Sequence, residues 1–190
     1  MVEFKALSEI RYSEEQWAEF EAAVDANLDE GLWRFEKNLR AFVERAGWDW
    51  MPLRDKSEFY HWALTIYKNA GRRRYNLMRR QQLRDAKFDL WIMQGYDPMY
   101  CPAEHSELKG LVLPSDHPFW REYMPPNDWT CKCYIIGART MAGACRRGGD
   151  PNISLPDWWA ERRGINPHFR ANHLPDLREV IGLLHSGYFE

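Results

Sequence analysis

The chain has no apolar run near the roughly 20 residues that a membrane-spanning helix needs, no internal repeat and no low-complexity tract. No spanning helix is therefore expected, and no membrane partner. The opening Met1-Val2-Glu3-Phe4-Lys5 lacks the basic start and apolar stretch of a secretory signal. The expectation is a protein kept in a reducing compartment, where its four cysteines serve as thiols or metal ligands rather than disulfides. A formal charge of only −2 means that the molecule as a whole is no electrostatic glove for nucleic acid. Catalytic signatures are missing too. Gly148-Gly149 lacks the strand, lysine and helix of a phosphate loop and reads as a turn. Asp116-His117, with no nucleophile beside it, reads as a hydrogen-bonded turn. No Ser/His/Asp arrangement and no framed pair of carboxylates is present. The expectation is a protein that is not an enzyme.

What the chain does have is aromatic bulk. Its 190 residues suffice for one ordinary domain, with or without an extension, and they include ten tryptophans. Large side chains that are seldom fully buried point to a packed interface, or else fill a small core. Ser13 with Gln16 forms a capping-box pattern. From there Trp17, Phe20, Val24, Leu28, Leu32, Phe35, Leu39 and Phe42 mark one apolar stripe on a helix reaching about Ala46, with Gly31 as a bend and Gly47 as the stop. Residues 1–30 carry nine acids against two bases. After Pro52, Ser57 is the expected cap of a second helix bearing Phe59, Trp62, Ala63, Ile66 and Ala70 on one side. Lys68 to Arg84 then holds seven Lys/Arg and no acid. Arg73, Arg80 and Arg84 fall on the helical face of Trp62 and Ile66, so the helix is expected to bend near Gly71 or to leave its core there. Arg72, Arg73, Arg74, Arg79, Arg80 and Arg84 are candidate contacts for a partner, for the acidic helix, or for DNA phosphates.

Beyond Asp85 the texture changes. Residues 88–94, 111–113 and 134–136 read as short strands, and prolines 98, 102, 114, 118, 125 and 126 exclude long elements between them. Two short helices are expected in the tail, at 157–163 and 175–182. The predicted fold class is α+β: long N-terminal helices over 1–86, a small loop-rich unit over 87–150, and a tail over 151–190. Within the loop-rich unit lie Cys101, His105, Cys131 and Cys133. Three thiolates and an imidazole suit a closed tetrahedral zinc site, which could replace a missing core. The same cysteines also fit a second reading, as small apolar side chains facing one way from a strand.

Three runs in this region resemble the phage Mu protein F-like head morphogenesis family. Residues Tyr96-Asp97-Pro98-Met99-Tyr100-Cys101-Pro102-Ala103-Glu104-His105-Ser106-Glu107-Leu108-Lys109-Gly110 are similar to its Asp…Pro-Glu-His-x-x-Leu-x-Gly signature. Val112-Leu113-Pro114-Ser115-Asp116-His117-Pro118-Phe119-Trp120 is similar to its Leu-Pro-x-Asp-His-Pro-Phe-Trp. Tyr123-Met124-Pro125-Pro126-Asn127-Asp128-Trp129-Thr130-Cys131-Lys132-Cys133 resembles its Tyr-Pro-Pro-Asn-Gly-Trp-Gly-Cys-Arg-Cys. Thr65 to Arg72 and Val2 to Leu7 resemble its preceding helix and its start, so the likeness covers nearly residues 1–140. Asp128 and Lys132 depart from the usual Gly and Arg. In the branch with Cys-x-x-Cys, the second cysteine falls at His105 and the first at Pro102, one residue after Cys101.

The resemblance implies a minor capsid protein of a tailed bacteriophage, found in the virion and assembled in the bacterial cytoplasm. Its implied partners are the portal or the major capsid protein, with further copies of itself and packaged DNA as additional contacts. Only 57 residues follow Cys133, which argues against a C-terminal toxin domain. Two other readings stand beside it: a non-specific DNA-binding packaging factor, and a metal-dependent nuclease or toxin.

Overall fold

Ser13 opens the first helix through the expected reciprocal bonds: its hydroxyl accepts from Gln16 N at 3.2 Å, and Gln16 Oε1 accepts from Ser13 N at 2.9 Å. The computed structural model describes residues 13–48, 52, 55–172 and 175–189. The similarity at Val2 to Leu7 lies outside these residues. Two compact units divide the chain, residues 1–74 with 175–190 and residues 75–174. The architecture is α+β, as the sequence implies. Among the described residues, no helix is long and apolar enough to cross a membrane.

In the first unit, α1 (Glu14–Asn27) and α2 (Leu32–Ala46) are separate helices. This corrects the expectation of one bent helix. A 3-10 turn at Leu28–Glu30 leads into Gly31, whose φ of +79° a right-handed helix does not admit. Phe20 then meets Phe42, and Asn38 donates to Asn27 at 2.6 Å, so α2 runs back along α1. The stripe survives the break because both helices turn it inward: Trp17, Phe20, Val24 and Leu28 are buried from one side, Phe35, Leu39 and Val43 from the other. Trp48 closes this core, 5.2 Å from Phe20.

The third helix, α3 (Lys56–Asp85), is capped by Asp55 rather than Ser57. The Asp55 carboxylate accepts from the backbone of Ser57 at 2.8 Å and of Glu58 at 3.0 Å. A carboxylate accepts two orphan N–H groups of a first turn, and its charge suits the positive helix end. α3 continues through Gly71 without interruption. The conflict between apolar and basic residues is resolved by a change of unit, since the division falls between Arg74 and Tyr75. The last helix of the chain, at Leu177–His185, belongs to the first unit, and Asp176 caps it by accepting from Glu179 N at 2.9 Å. Its Arg178 binds Glu14 at 2.8 Å and lies over Trp17.

The second unit holds a three-stranded antiparallel sheet in the order β2-β1-β3, formed by β1 (Leu90–Gln94), β2 (Val112–Pro114) and β3 (Tyr134–Ala138). Register pairs Ile92 with Val112 on one side and with Ile136 on the other. Ile92, Ala138 and Ala144 form its buried centre. Phe88 lies against Gly137 so closely that a Cβ there would fall 2.0 Å from the ring. Two short helices, α4 (Phe119–Tyr123) and α5 (Met141–Arg146), complete the regular structure before the tail. The tail does not form one segment. Its 3-10 turns at Asp157–Glu161 and Pro167–Asn172 lie in the second unit, whereas α6 (Leu177–His185) lies in the first.

Truncating Phe20, which is fully buried, is expected to destabilise the first unit by about 3–5 kcal/mol, read as a lower urea midpoint of helical circular dichroism in Phe20→Ala. A second expectation concerns His185, whose ring meets Trp62 edge-on at 4.7 Å. Burial holds its pKa below the ordinary value of 6.5. A base with a lowered folded pKa contributes stability fully above its unfolded pKa and loses it as pH falls through the folded one. Melting temperature should therefore drop as pH falls below 6.5, and the slope should be shallower in His185→Gln.

Candidate metal centre

Two stretches of irregular chain bring the four candidate ligands together, each fixed by short-range hydrogen bonds. Asp97 organises the first: its carbonyl accepts from Tyr100 N at 3.0 Å and from Cys101 N at 2.8 Å, and its carboxylate from Met99 N at 3.0 Å. Pro102 then starts a single 3-10 turn, Ala103–Ser106, that aims His105 inward. The second stretch turns at Asp128, whose carbonyl accepts from Cys131 N at 3.2 Å. The two are tied by Thr130, which donates to the Tyr100 carbonyl at 2.6 Å. Lys132 adds an ion pair with Asp97 at 3.5 Å, with its ammonium 3.3 Å from the centre of the Tyr100 ring.

Cys101, His105, Cys131 and Cys133 are all buried, and their ligand atoms lie within 4.8 Å of one another. His105 Nδ1 is 3.6 Å from both Cys131 Sγ and Cys133 Sγ, and Cys101 Sγ is 3.7 Å from Cys133 Sγ. Zinc bonds of about 2.3 Å to sulfur and about 2.05 Å to nitrogen give tetrahedral edges of about 3.8 Å between sulfurs and about 3.6 Å between sulfur and nitrogen. The donor set and these edges therefore fit a metal ion and are compatible with zinc. Cys101 belongs to the cluster, although the related Cys-x-x-Cys pattern aligns Pro102 instead. Cys131 and Cys133 precede β3 rather than lying in it, so they do not share a strand face.

The surroundings suit thiolates. Cys101 Sγ accepts from Lys132 N at 3.3 Å. A hydrogen bond from the Cys133 thiol pulls the Cys131 pKa down, and the same bond pushes that of Cys133 up. A divalent cation would take the place of that shared proton. His105 Nε2 lies 2.9 Å from the Gly164 carbonyl. A carbonyl only accepts, so Nε2 carries a proton and Nδ1 is the nitrogen available to a metal. Gly164 and the amide of Lys132 were not legible as site members. Gly164 lies 59 residues beyond His105, and backbone donors leave no side-chain signature.

The chain matches no known family model, no curated protein and no solved structure.

The six arginines do not form one outward-facing set. Arg79 donates to the Ile135 carbonyl at 3.1 and 3.0 Å, and the buried Arg80 donates to that of Met124 at 3.2 Å. These two are corrected from external contacts to internal ones. Their guanidinium groups satisfy carbonyls that the loops and the strand edge leave unpaired. Arg74 pairs with Asp29, the acidic-helix contact anticipated for this stretch. Arg72 and Arg73 are half-buried and engaged, while the exposed Arg84 bonds Gln81 at 3.3 Å. His117 Nδ1 accepts from Phe119 N at 3.1 Å, which is the turn expected of it. Gly149 N donates to Ala144 O at 2.9 Å and closes α5.

Protein purified without chelator is expected to carry about one zinc per chain by elemental analysis, and the double variant Cys131→Ser with Cys133→Ser to carry none. Metal-free wild type that stays folded would refute a structural metal.

Proposed function

We propose that this chain is a minor head protein of a tailed bacteriophage, acting in head assembly or DNA packaging by binding portal or major capsid subunits, with zinc as a structural staple of its second unit. The observation that carries the reading is the meeting of the signature runs: 96–110 and 123–133 supply all four cluster residues, and 112–120 supplies β2 and the start of α4. Runs that resemble one family's signature and converge on one cluster have the character of an assembly module. Four protein ligands fill a tetrahedral shell and leave no position for water or substrate, which favours a structural over a catalytic role. The exposed side chains of Trp33, Tyr75 and Met78 offer apolar contact area for a partner. The DNA-binding alternative is weakened because Arg79 and Arg80 are already committed within their own unit.

Quantitative mass spectrometry of purified particles and empty procapsids tests the proposal. The chain is expected in both at low copy number relative to the major capsid protein. Absence from both would overturn its place in the head.

A further inference from the structure

The turn at Asp157–Glu161 buries no residue, and among the residues described beyond it within 162–169 the buried hydrophobics are Ile165 and Phe169. Part of the attachment of residues 157–172 is to α4, through Arg162 with Glu122 at 3.1 Å and Trp159 with Phe119 at 6.2 Å. The rest runs to the two stretches that bear the cluster. The Gly164 carbonyl accepts from His105 Nε2 at 2.9 Å. Next to it, the Arg163 carbonyl accepts from the Tyr123 hydroxyl at 3.0 Å. Asn166 N donates to the Asn127 carbonyl at 2.8 Å, four residues before Cys131. Phe169 meets Trp129 edge-on at 4.8 Å. Gly164 itself sits at φ +71°, where a Cβ would lie 3.2 Å from His105 Cδ2 and 3.3 Å from Nε2. The backbone thus comes against the imidazole where a side chain would crowd it.

We propose that Gly164 is a positioning residue of the metal centre, and that residues 157–172 form a clasp whose docking and whose metal binding stabilise each other. This rests on the zinc reading above. The physical basis is the single imidazole that joins them. A metal on Nδ1 fixes the ring with its proton on Nε2 and makes that N–H a stronger donor to Gly164, while the carbonyl in turn makes Nδ1 a better ligand. Linkage makes the coupling reciprocal: the factor by which zinc favours docking equals the factor by which docking tightens zinc. A segment with few buried apolar contacts opens at low free energy, so this factor is readable. The tail is then ordered by metal within the isolated chain, before any partner binds.

The test is hydrogen exchange of the full-length protein with zinc ion alone as the probe. Amides of Asn166 and Phe169 should exchange roughly tenfold faster or more after chelation, with α1 and α2 unchanged. Because chelation can loosen the whole second unit, His105→Cys is the deciding variant. It supplies an all-cysteine zinc site but no donor to Gly164. It should hold one zinc per chain and still lose protection over 157–172. Gly164→Ala supplies an independent measurement: an unchanged cobalt ligand-field spectrum, with zinc affinity roughly 10- to 100-fold weaker and a smaller gain in tail protection on adding zinc than in wild type. Zinc-loaded His105→Cys with wild-type protection would overturn the clasp alone, as would a wild-type tail indifferent to zinc or wild-type zinc affinity in Gly164→Ala. Wild type that binds no zinc would overturn both the clasp and the staple.

Discussion

Everything in the second unit depends on joining loops that cannot pair with one another. Its sheet has strands of five, three and five residues, and prolines interrupt most of the chain between them. Ladders of that length do not by themselves fix a unit of this size, although Trp91, Met93, Leu111, Phe119, Tyr123 and Ile135 give it a buried core. The Cys101, His105, Cys131 and Cys133 cluster acts where the ladders stop. It gathers the loop before β2, the approach to β3 and, through Gly164, the tail. Each stretch is locally rigid through its own turn bonds, so a few contacts at the cluster position all of them. The Thr130 bond to Tyr100 and the Lys132 contacts with Asp97 and Tyr100 reinforce the same junction from its exposed side.

The arginines of α3 show a related economy. An edge strand presents carbonyls that would otherwise invite another chain. On β3, the carbonyls of Ile135 and Gly137 are taken by Arg79 and by Arg147, the latter at 2.6 Å. Two guanidinium groups therefore close an edge that, among the described residues, no further strand covers. Arg80 does comparable work for the Met124 carbonyl beside the prolines. A basic run that reads as an external patch is in part the hydrogen-bonding complement of a sheet edge and of a loop.

Much of this was legible in the sequence, and the failures have identifiable causes. Apolar periodicity located every residue of the α1 and α2 stripe except Val43, and the three strands fall within one or two residues of their expected places. Gly31 was visible as a discontinuity. Its positive φ, which converts a bend into a reversal, depends on the two stripes finding each other and could not be read from spacing. Asp55 and Ser57 compete for one cap, and the carboxylate prevails through two bonds. The ligands were legible because their chemistry is rare, whereas Gly164 contributes only a carbonyl and carries no signal. Arg79 and Arg80 were misassigned for a similar reason. Their partners are backbone atoms 56 and 44 residues away, which no local pattern encodes.

The relative weight of cluster and core can be argued from magnitudes. Structural zinc bound by such ligands is worth about 10–16 kcal/mol at neutral pH in small zinc-finger peptides. An entire ordinary domain is stable by about 5–15 kcal/mol, and truncating one buried side chain removes about 2–5 kcal/mol. In the first unit, with its continuous aromatic core around Phe20 and Trp48, packing alone is of the right size. In the second, a proposed metal would contribute as much as the whole net stability. Its loss would then remove the fold rather than soften it, and a single ligand would outweigh any single hydrophobic side chain. The two units thus differ in kind: the first rests on buried area alone, and the second would add a metal to a buried core of its own.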